Sequence, residues 1–175
     1  MQFEKYGYTF RTVEADDAPF ILHLRSNEKL SRFLSRTSPL LTDQEKWIHQ
    51  YKTREHNSEE FYFVTIDASG KRIGLARIYN LLPERSSFEI GSWLYAPDAG
   101  MRAPILGDLA IRDHGYEVLG FRNCHFEVRR ENRSVVRYHL NFSSELIGED
   151  TLNFYFTLSY ENYSTHRSKL LKLLL

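Results

Sequence analysis

Three side chains in the middle of this chain can move protons, and one turn can take an anion. Glu89 lies in the run Phe88-Glu-Ile-Gly-Ser-Trp-Leu-Tyr95, and Tyr138 and His139 close the segment Asn132-Arg-Ser-Val-Val-Arg-Tyr-His139. A carboxylate takes up a proton and an imidazole or phenol gives one, which is the equipment of general acid–base chemistry. Between these residues lies Pro97-Asp-Ala-Gly-Met-Arg-Ala103. Gly100 permits unusual backbone torsions, and the residues after it enter a helix whose first N–H groups lack internal partners and carry partial positive charge. Such a turn accepts a phosphate, and it is equally the form of an ordinary strand-to-helix connection. The other candidates have plain alternatives too. Glu89 also fits a surface carboxylate or a partner for Arg77, and His139 fits a packed helix residue. Arg25, at the end of the first helix, can hold a phosphate by two-point contact or complement the helix dipole. Tyr79, with Trp93, Phe154 and Tyr155, can stack on a base or sugar ring or fill a core.

These residues need a scaffold, and its elements are legible. Tyr8 to Val13 reads as a strand, and Asp16 or Asp17 before Pro19 starts a helix carrying Ile21, Leu22 and Leu24. Thr42-Asp-Gln-Glu45 has the form of a capping box opening a helix with Trp47, Ile48 and Tyr51 on one face. Phe61 to Asp67 and Arg72 to Tyr79 are strands joined by Ala68-Ser-Gly-Lys71, and with Phe88 to Tyr95 they predict an antiparallel meander. Pro104 suits a first helical turn, with Ile105, Leu106, Leu109, Ala110 and Val118 as its apolar side and Gly120 at its end. His125 to Arg129 is the next strand, parallel to the Phe88 strand because a helix separates them. Asn132 to Phe142 is a helix, and Glu145 to Gly148 with Asn153 to Tyr160 is a final strand pair. The Leu-rich end, Lys169 to Leu175, is expected to dock on the body or on a second copy of the chain, as in a homodimer.

Composition narrows the function. At 175 residues one domain, 1–175, is expected, and 23 Lys plus Arg against 23 Asp plus Glu leave no basic field to gather nucleic acid. The single Cys124 cannot form an internal disulfide and no Cys/His pairing has zinc spacing, so a reducing, cytoplasmic compartment without a metal is the expectation. No apolar run is long enough for a membrane span.

From about Tyr8 to Tyr160 the order of elements resembles the GNAT family of acetyl-CoA-dependent N-acetyltransferases. The residues carrying the resemblance are Phe88 to Tyr95, the Gly100 turn and its helix, the strand ending Glu127-Val128, and Asn132-x-x-Val-x-x-x-His139 followed by Phe142-Ser-Ser-Glu145. The sequence departs from the family pattern in three places. The pyrophosphate loop is reduced to Ala99-Gly-Met-Arg-Ala103, His139 stands where an aromatic is usual, and Ser143-Ser144 replaces Gly-Phe.

The resemblance implies an α/β fold with a mixed, mostly antiparallel sheet, a central parallel strand pair and flanking helices. It implies acetyl-CoA as co-substrate, held by the backbone of Trp93, Leu94 and Tyr95 and by Gly100, Met101, Arg102, Ala103 and Asn132. His139, by motif position, would protonate the departing thiolate, with Tyr138 as the alternative, and Glu89 would accept the amine's proton through water. Within the family the sequence is most similar to enzymes that acetylate a nucleotide-linked amino sugar for surface glycans, as in the pseudaminic acid pathway. Leu22-His-Leu-Arg25-Ser-Asn27, Trp47-Ile48, Arg72-Ile-Gly74 and Ser168-Lys-Leu-Leu-Lys-Leu carry that likeness. Arg25 and Tyr79 would then bind the sugar nucleotide. Ribosomal-protein-type N-terminal acetyltransferases share Glu89-Ile-Gly and remain an alternative, as does a non-catalytic acyl-CoA-binding protein.

Overall fold

The computed structural model describes all 175 residues, Met1–Leu175. In chain order the elements are β1 (Gln2–Lys5), β2 (Tyr8–Thr12), α1 (Ala18–Ser26), α2 (Glu28–Ser31), α3 (Leu41–His56), β3 (Phe61–Ile66), β4 (Arg72–Leu82) and β5 (Ser87–Tyr95). There follow α4 (Arg102–Asp113), running into a π-helical stretch at His114–Val118, then β6 (Asn123–Arg129), α5 (Arg133–Asn141), β7 (Glu145–Glu149), β8 (Asn153–Ser159) and α6 (Tyr160–Leu174). The strands are hydrogen-bonded in the order β1-β2-β3-β4-β5-β6-β8-β7. β5 and β6 are parallel, as a helical crossover requires, while the β1–β2, β2–β3, β3–β4, β6–β8 and β7–β8 pairs are antiparallel. The mixed sheet with a central parallel pair is therefore observed.

Four details differ from the sequence expectations. β1 pairs with β2 through a two-residue turn in which Tyr6 and Gly7 both have positive φ, the torsions that fit a tight hairpin. Thr42-Asp-Gln-Glu45 is not a capping box: α3 begins at Leu41 with Leu40 in the cap position, Thr42 lies inside it, and Ser38 serves this start by donating to Asp43 at 2.6 Å and accepting from the Leu40 N–H. Val118 is the last residue of the π-helical stretch and is exposed rather than part of the core. The Leu-rich end is the last part of a 15-residue helix, docked by its first half through the buried Tyr163, with Leu173 and Leu175 exposed.

The chain divides into two compact units. The first comprises Met1–Asn80 and Gly91–Ile111. Its main core gathers Val13, Ile21, Leu24, Ile48, Tyr51 and Leu75, and includes Leu94. Asp17, fully buried, fixes the start of α1. It accepts from Arg11 at 2.6 and 2.8 Å and pairs with Arg72 at 3.1 Å. Burial alone would raise its carboxyl, but the Arg11 hydrogen bond, the Glu14 N–H and the two guanidinium charges together hold it below the usual range. A depressed carboxyl stabilises the fold above its unfolded pKa of about 4, and that contribution disappears as pH falls through the lower folded value.

Tyr95 locks β5 to α4 in the same unit. Its hydroxyl bonds Thr65 at 2.8 Å, and its ring and hydroxyl occupy the space where a Cβ of Gly74 or Gly107 would lie. Both glycines are thus required by a bulky neighbour rather than by backbone torsion. Gly107→Ala should lower stability by about 1–3 kcal/mol through overpacking, despite a helix-propensity gain of about 1 kcal/mol. A wild-type midpoint in chemical denaturation would contradict this seating of Tyr95.

The second unit comprises Leu81–Ile90 and Arg112–Leu175. Phe88 fills the space beside Gly115 and meets Tyr116 edge-on at 5.1 Å. Asp113, buried, accepts from the Tyr163 hydroxyl at 2.7 Å and pairs with Arg167 at 3.1 Å, tying α6 to the end of α4.

Candidate active site

β5 offers backbone where its side chains are already committed. The parallel register with β6 runs Ser87↔Asn123, Phe88↔Cys124 and Glu89↔His125 and goes no further. Ser92 then takes a left-handed φ of 51° inside the strand, which turns the chain as a bulge does. After it, Trp93 Nε1 donates to the Pro104 carbonyl at 3.0 Å, Leu94 enters the main core and Tyr95 is seated as described. Side chains therefore hold Trp93, Leu94 and Tyr95 in place, and main-chain groups are what this strand can present.

The turn that follows fits an anion. Gly100 has φ 79° and open space where a Cβ would stand. Met101 is 93% exposed, Arg102 is exposed as the first residue of α4, and Ala103 is buried beneath them. Orphan N–H groups, the helix dipole and a free approach coincide there, which suits a pyrophosphate of the kind acetyl-CoA carries.

Glu89 has a neighbour that sequence reasoning missed. His125, its cross-strand partner, places Nε2 3.7 Å from a Glu89 oxygen, and its Nδ1 lies 2.7 Å from the Ser87 hydroxyl. Burial lowers the His125 pKa most, Glu89 works to raise it and Arg85 adds to the lowering, so the ring is neutral near pH 7. The sequence signal was the parallel pairing itself, since register decides which residues of two strands face each other.

On α5 the two titratable neighbours part company. His139 is 4% exposed, lying 4.3 Å from the Phe126 ring and 6.2 Å from that of Phe156. Burial, helped by the charge of Arg112, holds its imidazole well below the usual range. The ring is neutral and inside the aromatic core, a setting unlike that of a proton donor working near neutrality. Tyr138 is half-buried and meets the His139 ring edge-on. Asn132 caps the start of α5 with its carbonyl accepting from Val136, and its side chain accepts from Ser134 at 3.2 Å.

A cavity of about 350 Å³ lies wholly within the first unit, among α1, the 35–38 segment, α3, β3, β4 and Ser92 of β5. Arg25 lines it but is already engaged: Nε bonds Thr37 at 2.5 Å and Nη2 bonds the Ser35 carbonyl at 3.0 Å. Tyr79 does not line it. Its ring instead carries the Arg77 guanidinium at 4.7 Å, and Arg77 does line it. The cavity residues Arg36, Trp47, Tyr62 and Arg77 were not singled out as ligands, because their convergence depends on how helix and sheet pack. No group of three or more His, Cys, Asp or Glu side chains converges as a metal centre needs, and no helix is long and apolar enough to cross a membrane.

Residues 8–141 match the acetyltransferase (GNAT) domain family. The chain belongs to the GNAT family. Members are acetyltransferases that use acetyl-CoA, so the protein is an acyl-transferring enzyme. No curated protein sequence matches the chain. Among solved structures it is similar to apo FdhC, a nucleotide-linked sugar GNAT, at 31% identity and TM-score 0.89, with 100% of this chain and 99% of that one covered. The spermidine N-acetyltransferase of Vibrio cholerae, in complex with CoA and spermine, is 19% identical at TM-score 0.77, covering 91% of this chain and 99% of that one. The ribosomal-protein-S5-alanine acetyltransferase of Vibrio fischeri is 14% identical at TM-score 0.77, covering 93% and 98%. The last two likenesses show the GNAT fold alone.

Proposed function

We propose that this GNAT enzyme transfers acetyl from acetyl-CoA to an amino group of a nucleotide-linked amino sugar, in the cytoplasm, for surface-glycan biosynthesis. The observation that carries this reading is the end-to-end likeness to FdhC at 31% identity. The arginine-bearing cavity supports it, since guanidinium groups suit a phosphorylated acceptor. The buried Cys124, which forms no disulfide, suits a reducing compartment. The family match from 8 to 141 draws on both units, which favours one catalytic domain.

Bound acetyl-CoA supplies the activated acetyl group as a thioester. The N–H groups at the start of α4, from Met101 to Ala103 beside Gly100, would hold its pyrophosphate, and the backbone of Trp93 to Tyr95 would bind the rest of the cofactor. Asn132 contributes at the start of α5. Glu89 takes up the acceptor amine's proton at a carboxylate oxygen, with His125 packed beside that carboxylate. Tyr138 holds the proton that the leaving sulfur needs, and His139 serves as the packed ring that fixes the Tyr138 backbone.

The test is thiol release with a panel of acceptors: amino sugar nucleotides, spermidine and an alanine-terminated peptide. Turnover on amino sugar nucleotides alone is the expected result. Activity confined to spermidine or the peptide overturns the acceptor class. A separate outcome concerns His125. His125→Phe should cut kcat about tenfold with KM little changed, because it packs beside Glu89 rather than touching the acceptor.

A further inference from the structure

The cavity wall carries hydrogen-bonding capacity that the protein does not use. Tyr62 is 3% exposed, and its buried hydroxyl faces the Arg25 guanidinium without a hydrogen bond of good geometry. Arg77 Nε is likewise buried without one. Arg36 is exposed and makes no ion pair or hydrogen bond. Buried polar groups in folded proteins are nearly always paired, and an open one is costly. Two open buried groups and a free guanidinium on a single cavity are what a site looks like when its ligand brings the missing acceptors.

The remaining contacts show which groups are fixed and which are offered. Glu60, buried behind the wall, engages Arg77 through one oxygen and Arg54 Nε through the other at 2.9 Å. Arg77 is further held over the rings of Tyr79 and Trp47, at 4.7 and 5.4 Å. Its Nη2 is thus anchored while Nε stays open. Arg25 bonds Thr37 and Ser35 and is a positioning residue that holds the 35–38 wall. Trp47 stacks on Tyr51 at 5.6 Å and carries the Arg54 and Arg77 guanidiniums, so it is a wall and not a platform for a base. Three arginines against one lining carboxylate, Asp43, leave the wall cationic. Burial pushes the Tyr62 hydroxyl up to about 12, against the lowering effect of the Arg25 and Arg77 charges and a weak contact with the Arg25 guanidinium, so it remains protonated at every physiological pH.

We infer that this cavity is an oxyanion subsite that lodges the diphosphate of the acceptor, with Tyr62 and Arg77 as buried donors and Arg36 as the rim cation. The inference rests on the nucleotide-linked acceptor proposed above and names the part of it recognised here. Its volume, about 350 Å³, is at the small end for ligand pockets and suits the charged middle of such a molecule better than the whole.

Calorimetry on the full-length protein tests it, with inorganic pyrophosphate, thymidine diphosphate and thymidine as probes, each with and without saturating CoA. Pyrophosphate and thymidine diphosphate should bind, thymidine should not, and CoA should leave both affinities unchanged. Tyr62→Phe and Arg36→Ala should each weaken pyrophosphate binding about tenfold or more, the scale of a lost charge-assisted hydrogen bond. The thermal midpoint of ligand-free Tyr62→Phe should hold or rise, since the substitution removes an unpaired buried hydroxyl; a merely structural tyrosine would lower it. Wild-type affinity in both variants, thymidine binding as tightly as its diphosphate, displacement of pyrophosphate by CoA, or no pyrophosphate binding at millimolar concentration each overturns the subsite. If both variants lose pyrophosphate but no amino sugar nucleotide is acetylated, the acceptor reading falls and the subsite stands. Acetylation with unchanged KM in both variants gives the reverse.

Discussion

Tyr138→Phe is expected to lower kcat about a hundredfold with acetyl-CoA affinity unchanged, whereas His139→Phe should keep most of the turnover. General acid catalysis is worth roughly 10²–10⁴, and removing one hydroxyl without disturbing the ring isolates that contribution. The contrast follows from the packing of two adjacent residues on α5. His139 is sealed against Phe126 and Phe156 and is held neutral by burial and by Arg112, while Tyr138 is half-buried. A depressed histidine also has a signature in stability. Its contribution is complete above the unfolded pKa of about 6.5 and is lost as pH falls from there toward the lower folded value, because the unfolded chain binds the proton first. Wild-type stability should therefore decline below pH 6.5 more steeply than that of His139→Phe in paired urea titrations. Equal losses of kcat in the two variants would return the acid role to His139.

Asp113→Ala should cost about 3–5 kcal/mol, the largest stability effect expected of a single polar substitution in this chain. The carboxylate is 1% exposed, accepts from the fully buried Tyr163 hydroxyl at 2.7 Å and pairs with Arg167 at 3.1 Å. Removing it strips a buried hydroxyl and a largely buried guanidinium of their shared acceptor at the point where α6 is tied down. Arg167→Ala should cost clearly less, since Arg167 is 22% exposed on its side chain and water can reach the vacated position. Urea midpoints of the two variants check the order, and a loss under 1 kcal/mol for Asp113→Ala would contradict this account of α6.

Elements with strong local signals were legible in the sequence. Pro19 and Pro104 marked helix starts, Gly120 marked an end, and the intervening helix dictated that β5 and β6 run parallel. What failed was local grammar overridden by packing. Thr42 to Glu45 has the letters of a capping box, yet Ser38 supplies the contact with Asp43 at the start of α3. The site divides the same way. The Gly100 turn and Glu89 each lie in one short run of sequence, so they could be nominated from spacing. Tyr62, Arg77 and Arg36 come from two strands and a connecting segment, and nothing in their separate neighbourhoods announces that they share a cavity. His139 shows the converse, because its motif position suggested chemistry and only the structure places its ring in the core against Phe126.

Acceptor discrimination is the decisive quantity: kcat/KM for acetyl transfer to an amino sugar linked to a nucleoside diphosphate, against the same amino sugar without the nucleotide. A preference of at least about a hundredfold for the linked form is predicted, equivalent to about 2.7 kcal/mol of binding through the phosphates. Equal kcat/KM for the two forms would contradict the assignment of this enzyme to nucleotide-linked sugars.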